Sequence, residues 1–252
     1  MLDSVIQLNE VDSTNNYLRR MIEQSKDALP QGFSVYSKYQ TAGRGQIGNA
    51  WISERGKNLL ASILIYPKHI AIHDQFYISK AVSVAVIDAL KSLFIEHSSS
   101  FYIKWPNDIY FENRKLAGIL VENFVMEGMI SNSIIGLGIN VNQEHFPDSL
   151  PNPISLVNIT KKETSVEDLL SDIRLRICTE MEKLKFSANR ETLSFLYLNA
   201  LYKRNMISNF SDGNGIFAGK IVNVEESGRL VIQTDDGDRR RYYFKEVEYL
   251  LI

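Results

Sequence analysis

The stretch AGRGQIGNAW, Ala42 to Trp51, holds glycines at positions 43, 45 and 48 around Arg44. The spacing G-x-G-x-x-G is that of a dinucleotide-binding loop, and the step from Gly43 to Gly48 half-satisfies a P-loop. Both readings fail on context. A dinucleotide fingerprint needs a helix opening within the run, so that its N-terminus meets the pyrophosphate. Here NAWISERGKN follows, without helical period, and leads into a strand. A P-loop needs Lys-Ser or Lys-Thr after the last glycine, and this chain has Asn49-Ala50. A surface hairpin turn stays open as the plain structural reading. What the loop keeps is backbone N–H groups that glycine lets a ligand approach closely, a cation suited to phosphate or carboxylate, and a flat face at Trp51.

Three further segments carry residues of the same kind. KWPNDIY places Lys104, Asn107 and Asp108 around a Trp-Pro turn, and KLAGILVE opens on Lys115. GLGINVN alternates Leu137, Ile139 and Val141 with Gly136, Gly138, Asn140 and Asn142. As a strand it has one apolar face and one face of almost bare backbone plus amides. A flat ligand can lie on such a face, and Asn140 there matches the donor and acceptor of an adenine edge. Each segment alone has a structural alternative: DSTN (12–15) as a helix cap, WPND as a turn, Lys115 as a solvated strand end.

The elements that would position these residues are readable from periodicity. SVIQL, FSVYSKY, NLLASILIY, FYIKW, DIYFE, KLAGILVENFV and SNSIIGLGINVN read as strands, several joined by short turns. DSTNNYLRRMIEQSK reads as a helix with Asp12 or Ser13 at its N-cap. Asp74 is placed to cap a long helix, because Ala81/Val82, Ala85/Val86, Ala89/Leu90 and Leu93/Phe94 repeat every four residues. Gln143 to Thr160, with three prolines, reads as a loop. TSVED offers a capping box, Thr164 to Glu167, for the helix that contains Cys178, and another helix is expected near Arg190 to Tyr202. From about Met206 short strands alternate with turns at DGNG, ESGR and DDGD. The strands are too closely joined for a repeated βαβ wind, so the expectation is a mixed domain with a mainly antiparallel sheet, then a small all-β domain.

Composition bounds the rest. The chain has 252 residues, 44% apolar and 23% charged, with 28 Lys and Arg against 30 Asp and Glu. A net charge of −2 gives no electrostatic reason to expect a nucleic-acid partner. The one cysteine, Cys178, excludes an intramolecular disulfide and reads as a packed, inert thiol. The N-terminus is no signal peptide and no apolar run reaches membrane length, so a cytoplasmic protein without membrane contact is expected. His69 and His73 stand four apart, yet no third ligand is nearby and a metal pair is disfavoured. DRRRYY (238–243) follows DDGD and reads as a solvated hairpin end.

DSTN at 12–15, YQTAGRGQIGNAW at 39–51, KWPNDIY at 104–110, KLAGILVE at 115–122 and GLGINVN at 136–142 together resemble the biotin–protein ligases, in order and spacing. The resemblance implies an α+β catalytic fold of the class II aminoacyl-tRNA synthetase-like type over 1–204, and an SH3-like β-barrel over 205–252. It implies ATP with Mg2+ as one substrate and biotin as the other, giving biotinyl-5′-adenylate and pyrophosphate. The biotinyl group then passes to a lysine of a biotin carboxyl carrier domain. Bifunctional members carry an N-terminal winged-helix domain. Only 11 residues precede Asp12, so the ligase-only form is expected, as a monomer or homodimer that binds no nucleic acid.

Residue by residue, the resemblance places Ser13, Thr14, Asn15 and Gln40 around the ureido ring of biotin. Gly43, Arg44, Gly45 and Gln46 belong to the loop that closes over it, and Gly118 is a further biotin-binding residue. Arg44 and Lys115 hold the biotin carboxylate and the α-phosphate. Trp51, Lys104, Asn107 and Asn140 take the nucleotide. Asp108 either orients and deprotonates the acceptor lysine or only fixes the turn. Family members often read GRGRxGR in the loop, where this chain has Gln46 and Asn49 and keeps Arg44. The rival readings are a lipoate–protein ligase, whose arginine-then-triple-glycine motif is missing, and a non-catalytic biotin-binding or protein-interaction module, which needs no paired Arg44 and Lys115. A nucleic-acid-binding regulator is third.

Overall fold

The computed structural model describes residues 4–45 and 50–250. Seven strands, β1 (Val5–Leu8), β2 (Ser34–Ser37), β3 (Leu59–Ile65), β4 (Phe101–Lys104), β5 (Asp108–Phe111), β6 (Arg114–Met126) and β7 (Met129–Ile139), form one sheet in the order β1-β2-β3-β7-β6-β5-β4. Helix α1 (Thr14–Gln24) crosses between β1 and β2, which are therefore parallel, and every other neighbouring pair is antiparallel. A second, five-stranded sheet follows. Its strands β8 (Ile207–Asp212), β9 (Gly215–Val224), β10 (Leu230–Thr234), β11 (Arg239–Tyr242) and β12 (Val247–Tyr249) run in the order β11-β10-β9-β8-β12. The fold is α+β, with the mainly antiparallel sheet and trailing β-unit that the strand spacing implies.

Alternation along the three central strands separates a core face from a site face. Ile135, Leu137 and Ile139 of β7, Ala117 and Ile119 of β6, and Ala61, Ile63 and Ile65 of β3 join the main core. Helices α2 (Phe76–Leu93), α4 (Val166–Lys183) and α5 (Ser187–Asn199) cover that face. The other face carries Ser62, Gly136, Gly138, Gly118, Leu120 and Glu122, which the register aligns: Gly136 pairs with Ser62 and Leu120, and Gly138 with Gly118. Helix α1 covers only one end of this face, packing Leu18 on Val35, Leu64 and Ile134. The rest stays open, because glycines give a helix nothing apolar to bury.

Two expected caps lie elsewhere. Asp74 sits in a 3-10 turn before α2 and pairs with Arg190 at 2.9 Å, and the N-cap residue is Gln75, without a side-chain bond. The cap of α4 is Ser165, whose hydroxyl accepts from the Asp168 N–H at 3.2 Å. Thr164 and Glu167 are otherwise engaged, by Asn142 and by the Tyr36 hydroxyl. The segment read as a loop contains a short helix, α3 (Leu156–Thr160). Cys178 is half-buried on α4, and burial pushes its thiol pKa up, as an inert packed thiol requires.

Helix α2 also buries a lysine. Lys80 is 2% exposed; its Nζ donates to Ser194 Oγ on α5 at 2.9 Å and lies 4.9 Å from the Tyr77 ring centroid. Burial lowers its pKa from 10.5 to about 8, with Glu226 opposing. Below the folded value the ammonium is charged in both states, and its burial cost is constant. Between the two values only the unfolded chain holds the proton, so stability rises with pH. Lys80→Met removes that titration. Between about pH 7 and pH 10, the unfolding free energy of the wild type should climb relative to the variant by on the order of 2 kcal/mol. Urea titrations check this, and parallel profiles would show an ordinary lysine.

Candidate active site

A cavity of about 680 Å³ opens on the site face of the large sheet. At one end stand Ser13, Thr14 and Asn15, each no more than 3% exposed, at the start of α1. Ser13 occupies the N-cap position but makes no side-chain cap bond, and it lines the cavity. Gln40 does the capping: its Oε1 accepts from the Thr14 N–H at 2.8 Å and from the Thr14 hydroxyl at 3.1 Å. Ser62, at the centre of β3, lies 2.8 Å from Thr14 Oγ1 and also bonds Asn15 Oδ1. The Asn15 amide donates to Glu122 Oε2 at 2.7 Å. Ser62 and Glu122 do not line the cavity but hold residues that do, and the motifs assign them no role. The available signals were a serine inside the otherwise apolar LLASILI and a carboxylate on the half-buried strand of KLAGILVE.

The middle of the cavity is a glycine shelf. The Trp51 indole lies on it: a Cβ at Gly138 would sit 2.5 Å from the ring and one at Gly118 3.0 Å. At Gly136 a Cβ would sit 2.6 Å from Asn15 Oδ1. Bare strand backbone is therefore what admits both the ring and the amide. The Trp51 indole N–H is buried and has no partner among the described residues. The loop closes at its neck, where the Trp51 N–H donates to the Gly43 carbonyl at 2.9 Å. Arg44 and Gly45 line the cavity, whereas Gly43 is packed under the Trp51 backbone and does not. Gln46 and Asn49 lie outside the described residues.

Cations gather at the far end. Lys115 Nζ donates to Asp108 Oδ2 at 2.7 Å and lies 5.8 Å from the Trp51 ring centroid. The pair follows from the bulged β5–β6 hairpin, which brings both side chains to the cavity. Lys104 sits between the rings of Tyr110 and Tyr249, 5.0 and 5.1 Å from their centroids, and donates to the Tyr110 hydroxyl at 3.1 Å. Burial lowers its pKa, against the pull of Asp108 and Glu248. Asn107, 5% exposed, lines the cavity and donates to the Ile119 carbonyl. Asn140 does not line the cavity, contrary to its expected place on the shelf. β7 ends at Ile139, and beyond it the chain turns, so that the Asn140 amide donates to the Ile154 carbonyl at 3.0 Å.

The remaining wall comes from the second sheet: Phe244, Lys245, Val247, Glu248 and Tyr249. No motif pointed to them, because their place depends on docking. The Trp105 indole donates to the Gly228 carbonyl at 2.9 Å, and Tyr77 to Glu226 at 3.0 Å. Gly228 has φ +89° and packs where a Cβ would meet the Phe76 ring at 2.6 Å, so the docking turn requires glycine. The arginines of DRRRYY are partly tied within the small unit, Arg240 to Asp212 and Arg241 to Glu225. The Asp212 carboxyl is held below its usual pKa, first by the Tyr242 hydroxyl.

One end thus donates and accepts hydrogen bonds, the middle is flat, and the other end is cationic. The sequence profile of the biotin/lipoate A/B protein ligase family matches residues 8–140, which hold most of this cavity. The chain belongs to that family. It is 30% identical to the bifunctional ligase/repressor BirA of Bacillus subtilis, over 87% of this chain and 67% of the relative. It is 28% identical to the human biotin–protein ligase, over 94% of this chain and 33% of that one. In three dimensions it resembles the biotin protein ligase of Aquifex aeolicus in complex with biotin and ATP, with a TM-score of 0.78 and 26% identity, covering 98% and 99% of the two chains. Within the family its activity is therefore that of a biotin ligase. Among the described residues no helix is long and apolar enough to cross a membrane, and no cluster of three His, Cys, Asp or Glu forms a metal cage.

Proposed function

We propose that the chain activates biotin with Mg-ATP as biotinyl-5′-adenylate and transfers the biotinyl group to a lysine of a biotin carboxyl carrier domain. One observation carries the reading: the amide-and-hydroxyl end and the cationic end belong to one continuous cavity, joined across bare strand backbone. Ser13, Thr14, Asn15 and Gln40, supported by Ser62, supply both donors and acceptors, as a ureido ring requires. The shelf takes the flat body of the ligand beside Trp51. Lys115 and Arg44 offset charge as the biotin carboxylate attacks the α-phosphorus and pyrophosphate leaves. Mg2+ arrives with the nucleotide as part of that substrate.

In the second step the acceptor amine attacks the acyl carbon, and AMP leaves. Free lysine has a pKa of about 10.4, so the attack needs a proton acceptor. Asp108 suits that role because its present partner is Lys115. When Lys115 engages the phosphate, the Asp108 carboxylate faces the incoming ammonium. Incubation with biotin, Mg-ATP and a carrier domain, followed by intact-mass measurement, tests the proposal. A mass gain of one biotinyl group on the carrier lysine is expected. No gain with biotin, or a gain with lipoate instead, would overturn it.

A further inference from the structure

Glu122 gathers three donors on one carboxylate. Oε2 accepts from Asn15 Nδ2 at 2.7 Å, and Oε1 from Arg19 at 2.8 Å, with Arg44 on the same oxygen at 3.4 Å. The carboxylate is 17% exposed, while the Arg44 side chain is 44% exposed and also donates to Asn16 Oδ1 at 2.9 Å. Arg44 is the cation that the proposed reaction needs on an anionic ligand, and it rests on a protein carboxylate.

We propose that Glu122 is a positioning residue that parks Arg44 at the amide end of the cavity and yields it to the ligand's anionic group. The inference rests on the reading of the cavity as a biotin site. Arg44 is the member of the cluster built to leave. Its contact to Glu122 is the longest of the three, and its side chain is more exposed than that of Arg19, which lies 5.4 Å from the Phe124 ring centroid. Its departure does not strand a charge, because Arg19 and Asn15 still hold both carboxylate oxygens. Glu122 has a second consequence. With Nδ2 spent on Glu122, the Asn15 Oδ1 is turned over Gly136, where the Ser62 hydroxyl also bonds it. A glutamine at 122 can still accept from Asn15 through its one oxygen, while its NH2 replaces the oxygen shared by Arg19 and Arg44 and carries no charge for either, so the Asn15 role separates from the charge.

The experiment measures binding of biotin, whose tail is anionic, and biotinamide, whose tail is neutral. Calorimetry on wild type, E122Q, R44Q and the double variant provides a double-mutant cycle. E122Q should tighten biotin about two- to fivefold, the worth of a partly exposed ion pair, and leave biotinamide unchanged. In the R44Q background the same change should do nothing. E122A should weaken biotinamide too, because Asn15 loses its anchor. If E122Q tightens biotin equally with and without Arg44, the effect is through-space charge and the parking role is overturned. Unchanged or weaker biotin binding by E122Q overturns it as well. Failure of either ligand to bind the wild type would instead sink the biotin-site reading on which this rests.

Discussion

Lys115→Ala should reduce biotin-dependent pyrophosphate release by about 100-fold or more, the scale on which a positioned charge at a developing anion acts. The lysine stands where β6 enters the cavity, and its Nζ is within 2.7 Å of Asp108 and beside the Trp51 ring. Its neighbours are otherwise engaged: Lys104 on β4 is held between Tyr110 and Tyr249, and Arg114 on β6 donates to the Pro153 carbonyl. Folding should hardly notice. The Lys115–Asp108 pair is about a third exposed on both sides, and such pairs contribute at most about 1 kcal/mol. The variant should therefore melt close to the wild type while adenylate formation is lost. Pyrophosphate release near the wild-type rate would remove Lys115 from the reaction. Transfer from pre-formed biotinyl-adenylate separates the steps: if Lys115 acts mainly on the phosphate, that second step should suffer less.

Which parts of this site were legible in the sequence follows from how each residue is held. Ser13, Thr14, Lys104, Asn107, Asp108 and Lys115 sit next to a helix start, a tight turn or a strand end, where local spacing decides position. Asn140 shows the limit of that logic. Its alternation with Gly136 and Gly138 is real, but β7 stops one residue earlier, and the turn toward Ile154 takes the amide away. Strand length is set by neighbours across the sheet, not by period. Ser62 and Glu122 meet the lining residues Thr14 and Asn15 only through register, since they stand on strands flanking β7. Phe244 to Tyr249 depend on the docking of a second sheet through Trp105 and Gly228, contacts more than 100 residues apart in sequence. The helix caps fall elsewhere for a related reason. Asp74 and Glu167 had the right types for helix starts, but tertiary partners, Arg190 and Tyr36, claimed their carboxylates.

Gly138→Val gives the sharpest separation of local fold from site. Position 138 lies in a central strand, where valine is intrinsically favoured over glycine. Pairing with Leu60 and Gly118 leaves the backbone regular, so secondary structure should persist. The side chain, however, projects onto the site face. Even a Cβ there would stand 2.5 Å from the Trp51 ring, and the branched methyl groups reach further into the cavity. The indole must leave the shelf, and the space that a flat ligand needs against the backbone is filled. Overpacking of this kind costs roughly 1–3 kcal/mol in a closed core, whereas the Trp51 ring borders a cavity that can take it. Stability should fall by less than that, while adenylate formation should drop by on the order of 100-fold, since loss of positioning alone has that effect. Gly118→Ala, whose Cβ meets the ring at 3.0 Å, should be the milder relative. Pyrophosphate release alongside thermal melts checks the pair. Full activity of Gly138→Val would mean that the ligand does not cross the shelf, and the two ends of the cavity would then serve different molecules.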